Sequence, residues 1–182
     1  MKGIINSSII VIILIVGQAA FGQTFHSGDI ARIKSAINTA GSGKCMDVAG
    51  GYLFDGNAIV QFDCHNGSNQ RFQMQRVTLR GDFIIESTVD QSKCVGIADN
   101  VHANAYELLR VEPCRDSNND VPLGVRFRLD VNAAGQTRFR AISPSWDGQQ
   151  TCIDIASGSN ANSLWLQLYY CHDGSNQRWI SN

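Results

Sequence analysis

Cys171-His172-Asp173-Gly174-Ser175-Asn176-Gln177-Arg178-Trp179 and Cys64-His65-Asn66-Gly67-Ser68-Asn69-Gln70-Arg71-Phe72 stand 107 residues apart and read almost alike. Seven of the nine positions are identical, and the other two are Asn/Asp and Phe/Trp exchanges. The same offset lays Cys45-Met46-Asp47-Val48-Ala49 on Cys152-Ile153-Asp154-Ile155-Ala156. A degraded copy lies between them. It has Cys94-Val95-Gly96-Ile97-Ala98, a second cysteine at Cys114, and Val125-Arg126-Phe127 where the others have Gln-Arg-Phe or Gln-Arg-Trp. The chain is one unit written three times, over about 30–78, 79–130 and 131–182.

The paired cysteines are 19, 20 and 19 residues apart. Six cysteines allow fifteen connectivities, and the repeat selects one: Cys45–Cys64, Cys94–Cys114 and Cys152–Cys171, each inside its own copy. A bridge over a loop of this size contributes about 3 kcal/mol in the chain-entropy account. Metal binding is the rival reading of Cys beside His, but the separations lack the CxxC pairs of a zinc site. The remaining pattern is short and β-like. Ile30–Lys34, Arg126–Val131 and Arg138–Ser143 alternate apolar and polar residues, and Phe83–Ile85 is a short apolar run. Three copies of a few strands each predict a closed, threefold, all-β structure, because closure removes exposed edges. The copies leave no room for a separate catalytic domain.

The 182 residues contain 15 Lys plus Arg against 16 Asp plus Glu, a formal charge of −1. That balance argues against a nucleic-acid partner, which calls for a basic excess on one face. With 17% charged residues, 17 Gly and 3 Pro, the chain is neither a disordered tail nor collagen. Met1-Lys2-Gly3, the apolar run Ile9–Val16 and the small residues Ala20 and Gly22 read as a cleaved leader over Met1–Gly22. Eight apolar residues are too few to span a bilayer, so no membrane insertion is expected. The remaining domain, 23–182, is expected to be exported (extracellular or periplasmic), where disulfides persist.

Cys-x-Asp, a second Cys about 19 residues on, and then Asn-Gln-x-Trp resembles the signature of the ricin-type β-trefoil lectins. The residues are Cys45-Met46-Asp47 with Asn69-Gln70-Arg71-Phe72, and Cys152-Ile153-Asp154 with Asn176-Gln177-Arg178-Trp179. The resemblance implies a β-trefoil of twelve strands around a pseudo-threefold axis, with up to one shallow sugar pocket per repeat. It also implies a lectin rather than an enzyme, needing no cofactor and no metal, with glycans or glycoconjugates as partners.

Sugar chemistry agrees with that implication. An ionised Asp accepts two hydroxyl protons, an amide donates and accepts, and a flat ring covers the C–H face. In the third repeat the resemblance places Asp154, Gln167, Tyr169, His172 and Asn176 at the pocket. The first repeat offers Asp47, Phe62, His65, Asn69 and Gln70, with Val60 where Gln167 has its amide. In the second repeat Gly96, Arg110, Glu112 and Gly124-Val125 replace the set, which predicts a dead pocket. Cys64-His65 and Cys171-His172 are similar to the lectin modules of polypeptide GalNAc transferases, which implies galactose or N-acetylgalactosamine as ligand.

Blander readings stand beside these. Asp47 and Asp154 could serve as turn residues, and His65 and His172 as exposed strand ends. Gln70, Phe72, Gln177 and Trp179 are expected to be scaffold, with the aromatic in the core and the Gln bonding backbone. Trp146 and Trp165 are expected to pack locally. Asp116–Asp120 imitates a calcium loop, but Val121 stands where Gly is required. Glycoside hydrolysis needs two acids at one cleft, and the recurring acids come one per repeat. Asn66-Gly67-Ser68 is a glycosylation sequon beside the first pocket. The rival functions are the cell-binding subunit of a toxin, which needs a partner chain, and a trefoil protease inhibitor.

Overall fold

The computed structural model describes residues 24–37, 43–99 and 101–182. The leader expected over Met1–Gly22 lies outside the described residues. Six runs of strand close a barrel. The first is β1 (Ile30–Ala31) continued by β2 (Ile33–Ser35). The others are β5 (Phe72–Arg76), β6 (Asp82–Ser87), β9 (Phe127–Val131), β10 (Thr137–Ala141) and β14 (Trp179–Ser181). Antiparallel pairing runs β1-β5-β6-β9-β10-β14-β2, so the ring returns to its starting run of chain.

Three hairpins sit across one end of the barrel. They are β3 (Lys44–Val48) with β4 (Ile59–Asp63), β7 (Lys93–Gly96) with β8 (Arg110–Pro113), and β11 (Thr151–Asp154) with β13 (Gln167–Tyr170). Each belongs to one repeat and holds that repeat's disulfide: Cys45–Cys64, Cys94–Cys114 and Cys152–Cys171. The cap is sewn together at its rim. The short β12 (Leu164–Trp165) pairs with β4, Ala58 bridges Arg110, and Leu108 bridges Gln167. The chain is a β-trefoil with fourteen strand segments among the described residues rather than the twelve implied by the resemblance. The two extra segments arise because the first barrel strand is interrupted at Arg32 and because Leu164–Trp165 reaches across to the first repeat.

Period-two alternation drives the core. Thr137, Phe139 and Ala141 of β10 point inward, and Phe72 and Met74 of β5 do the same. The aromatic after each Gln-Arg or Val-Arg pair recurs by threefold symmetry: Phe72, Phe127 and Trp179 are all fully buried. Each contributes about 1.5–3 kcal/mol of burial. The residue after the first cysteine recurs likewise, as Met46, Val95 and Ile153. Phe72 and Trp179 are scaffold, as their place in the motif suggests. Trp165 does not pack locally: it pairs with Val60 of the first repeat and donates its indole N–H to the Leu109 carbonyl of the second. Trp146 does not pack as expected. The residue is 75% exposed, and its ring lies stacked on His102, centroids 3.4 Å apart.

Candidate functional site

The cap hairpins set the pocket by register. Asp154 at the end of β11 lies directly across from Gln167, and Cys152 across from Tyr169. In the first hairpin Asp47 faces Val60, and Cys45 faces Phe62. Residues two apart share a face, so acid and aromatic emerge on the same side of each hairpin. A three-residue turn, Ser68–Gln70 or Ser175–Gln177, then brings Asn and Gln up beside the acid.

In the third repeat the carboxylate is the hub. Asp154 Oδ1 accepts from Gln167 Nε2 at 3.0 Å, and Oδ2 accepts from Asn176 Nδ2 at 2.7 Å and Gln177 Nε2 at 3.1 Å. Gln177 also donates to the Tyr170 carbonyl and accepts the His172 N–H. In the first repeat Asn69 Nδ2 reaches both Asp47 oxygens at 2.9 and 3.0 Å, and Gln70 Nε2 reaches Oδ2 at 2.8 Å. Val60 supplies no amide there. An ionised carboxylate has about four acceptor sites, so one on Oδ1 remains open in each pocket for a ligand hydroxyl.

The histidines are held in one tautomer. The Gly67 N–H donates to His65 Nδ1 and the Gly174 N–H to His172 Nδ1, each at 2.9 Å. An Nδ1 that accepts leaves the proton of a neutral ring on Nε2. That edge faces the acid, with Nε2 to Oδ2 at 3.3 Å for His65–Asp47 and 3.7 Å for His172–Asp154. The glycines permit this closeness. A Cβ at Gly174 would lie 2.5 Å from Asn176 Oδ1 and 2.6 Å from the His172 ring, and Gly67 is equivalent. Burial pushes the Asp47 carboxyl above the ordinary aspartate range, opposed by the amides of Gln70 and Asn69 and by His65. On acidification Asp47 is therefore neutralised earlier than a free aspartate.

An open cavity surrounds each of the two acids. The third-repeat cavity, about 480 Å³, is lined by Asp154, Gln167, Tyr169, His172 and Asn176, together with Ala156, Ser157 and Tyr106. The first, about 280 Å³, is lined by Asp47, Val60, Phe62, His65 and Asn69, together with Ala49, Gly50 and Ser163. Tyr106 and Ser163 come from neighbouring repeats and were not among the expected residues. Gln70, expected both at the sugar and in the scaffold, is fully buried behind Asp47 and can only be scaffold. Its amide, like that of Gln177, bonds the carboxylate as well as backbone. Asn66 is exposed and lies beside the pocket, its side-chain oxygen accepting from Arg32.

In the second repeat the carboxylate's own place is filled, and a cavity of about 290 Å³ opens beside it among Glu112, Arg115, Asp116, Pro122 and Val125. A Cβ on Gly96 would meet Val125 Cγ1 at 2.6 Å, so the valine at the glutamine position occupies the carboxylate's space. Glu112 stands in for the aromatic and pairs with Arg110 at 3.6 Å. Burial raises the Glu112 pKa, with Arg110 opposing. Pro122 holds the position of Gly67 and Gly174 and has no N–H to offer. Asp116 turns its carboxylate onto its own loop, accepting the Asn118 and Asp120 N–H groups.

The family model described as "Ricin-type beta-trefoil lectin domain" matches residues 34–179. Among solved structures, the Macrolepiota procera ricin B-like lectin in complex with lactose matches at TM-score 0.64 and 17% identity, over 88% of this chain and 99% of that one. The C-half of an earthworm R-type lectin in complex with GalNAc matches at TM-score 0.57 and 20% identity, over 84% and 97%. A mosquitocidal holotoxin matches at TM-score 0.69 and 15% identity, over 86% of this chain but 17% of its own. At these identities the likeness is one of fold. No curated protein matches the chain significantly.

Proposed function

Because the chain belongs to the ricin-type β-trefoil lectin family, we propose that it is an exported carbohydrate-binding protein whose first and third repeats hold galactose or N-acetylgalactosamine. The observation that carries this reading is the Asp154 carboxylate, fixed by three amides beside the half-exposed face of Tyr169. Galactose suits such a place. Its 3- and 4-hydroxyls lie on the same side and can converge on one carboxylate and its amides, while the C–H face they leave covers an aromatic ring. The Nε2–H of His172 adds a donor at the same edge. Asp47 with Phe62 and His65 offers the same set without the second amide, which makes the first pocket the weaker of the two.

One carboxylate per pocket supports binding rather than hydrolysis. A single fork and one ring, less ordering costs, give a Kd of about 1 mM, or about −4 kcal/mol. Two sites on one particle or cell surface then add about 10²–10⁴ through avidity. A toxin's cell-binding part would use the same pockets, and co-purification of a second chain distinguishes that case.

Gly174→Ala tests the site without touching a ligand-binding group. Gly174 has φ −64°, which alanine adopts freely, so the added methyl acts only on Asn176 and His172. Stability changes little, and third-pocket affinity falls at least about tenfold. Retention on galactose- and N-acetylgalactosamine-bearing beads, eluted by free sugar, reads the effect. Wild type that ignores both beads, or a Gly67→Ala/Gly174→Ala double variant retained like wild type, overturns the proposal.

A further inference from the structure

Eight residues before its second cysteine, each cap hairpin has a residue with left-handed backbone: Gly56 at φ 84°, Tyr106 at 68° and Ser163 at 59°. Each N–H donates to a carbonyl on the neighbouring hairpin. Gly56 bonds Val111 at 2.8 Å, Tyr106 bonds Leu168 at 2.8 Å, and Ser163 bonds Gln61 at 2.9 Å. The turn of one repeat is thereby presented to the next repeat's pocket, Tyr106 to the third and Ser163 to the first.

Glycine suits this backbone, and a large side chain is strained in it. The fold does not require the tyrosine, because Gly56 makes the same turn and the same bond in the first repeat. Burial does not compensate either, since Tyr106 is 67% exposed. What its ring does meet is Tyr169, with centroids 5.2 Å apart and planes at 72°. The two rings make a corner. The third cavity is also the larger, although Tyr106 and Gln167 are bulkier than the Ser163 and Val60 of the first. Their side chains wall a concavity instead of filling it.

We propose that Tyr106, supplied by the otherwise blocked second repeat, binds the second sugar of a glycan whose terminal sugar rests on Tyr169 in the third pocket. The assignment depends on the galactose-type reading above. One pyranose covers one wall of the corner, and a ring linked to it at an angle covers the other. The first pocket receives only Ser163 and reads a single sugar. The second repeat has lost its own carboxylate and amides yet shapes its neighbour's pocket.

The test uses the whole protein carrying Phe62→Ala, so that the third pocket reports alone, and compares methyl galactoside with lactose by NMR titration. Tyr106→Ser copies the residue the first pocket receives, and Tyr106→Gly removes the strain. Both variants are expected to weaken lactose about five- to tenfold and leave methyl galactoside within about twofold. The melting temperature stays level in Tyr106→Ser and rises in Tyr106→Gly. Equal losses for the two sugars, no loss for lactose, or a lower melting temperature in Tyr106→Gly overturns the assignment. If the unsubstituted third pocket binds neither sugar and also ignores N-acetylgalactosamine, the lectin reading itself fails, and this assignment with it.

Discussion

Refolded in the presence of reductant, the chain fails to recover a cooperative thermal transition. Each bridge closes a loop of 19 or 20 residues and contributes about 3 kcal/mol in the chain-entropy account, so three together contribute about 9 kcal/mol. That is comparable to the whole stability of a typical domain, about 5–15 kcal/mol. The bridges also fix function, because Cys171 is followed directly by His172 and Cys152 lies two residues before Asp154. Cys94–Cys114 is buried at both ends, and the other two bridges are buried at Cys45 and Cys152 and half-buried at Cys64 and Cys171, so reduction of the folded protein would be uneven. The reduction is therefore performed in denaturant and the chain diluted into native buffer with and without reductant. Circular dichroism melts should show a transition only in the oxidised sample. An equal midpoint in both would mean that the barrel and cap hold without their bridges.

Asp154→Ala is expected to cost about 2–4 kcal/mol and to abolish binding in the third pocket. The stability loss comes from the amides rather than from the acid. Gln177 is fully buried and loses its carboxylate partner, so that its Nε2 keeps only the Tyr170 carbonyl while its Oε1 still accepts the His172 N–H. Gln167 and Asn176 are half-buried and can turn to water. The second repeat contains the compensated arrangement, with Gly96 for the acid and Val125 for the glutamine, and both positions there are buried without polar groups. Removing both partners is far cheaper than removing one. Asp154→Ala combined with Gln177→Val should accordingly recover part of the lost stability and none of the binding. Denaturant midpoints read the first, sugar-bead retention the second. An Asp154→Ala protein as stable as wild type would show that the carboxylate is not the hub of the amide network.

The disulfides, the acids and the Asn-Gln turns were legible in the sequence because their contacts stay within one repeat. The contact from Gln177 to Asp154 spans 23 residues, and the motif repeats it at Gln70 and Asp47. Tyr106 and Ser163 were not legible. They serve pockets in the next repeat, and spacing within a repeat does not show which neighbouring turn reaches over. Gly67 and Gly174 were hidden for another reason. Glycine in a polar loop reads as a turn residue, whereas here φ is ordinary and the demand comes from a histidine ring packed against the N–H. Gln70 fits two roles in the sequence, and only its burial separates them.

The most direct test of two working pockets and one blocked pocket is a titration of the isotope-labelled protein with N-acetylgalactosamine to about 20 mM, well above the expected Kd of about 1 mM. Amide signals of His172, Gly174 and Asn176 should move first, followed by those of His65, Gly67 and Asn69, while Gly96 and Gly124 stay still. Unmoved signals at His172 and Gly174, or movement centred on Gly96 and Gly124, would contradict the account.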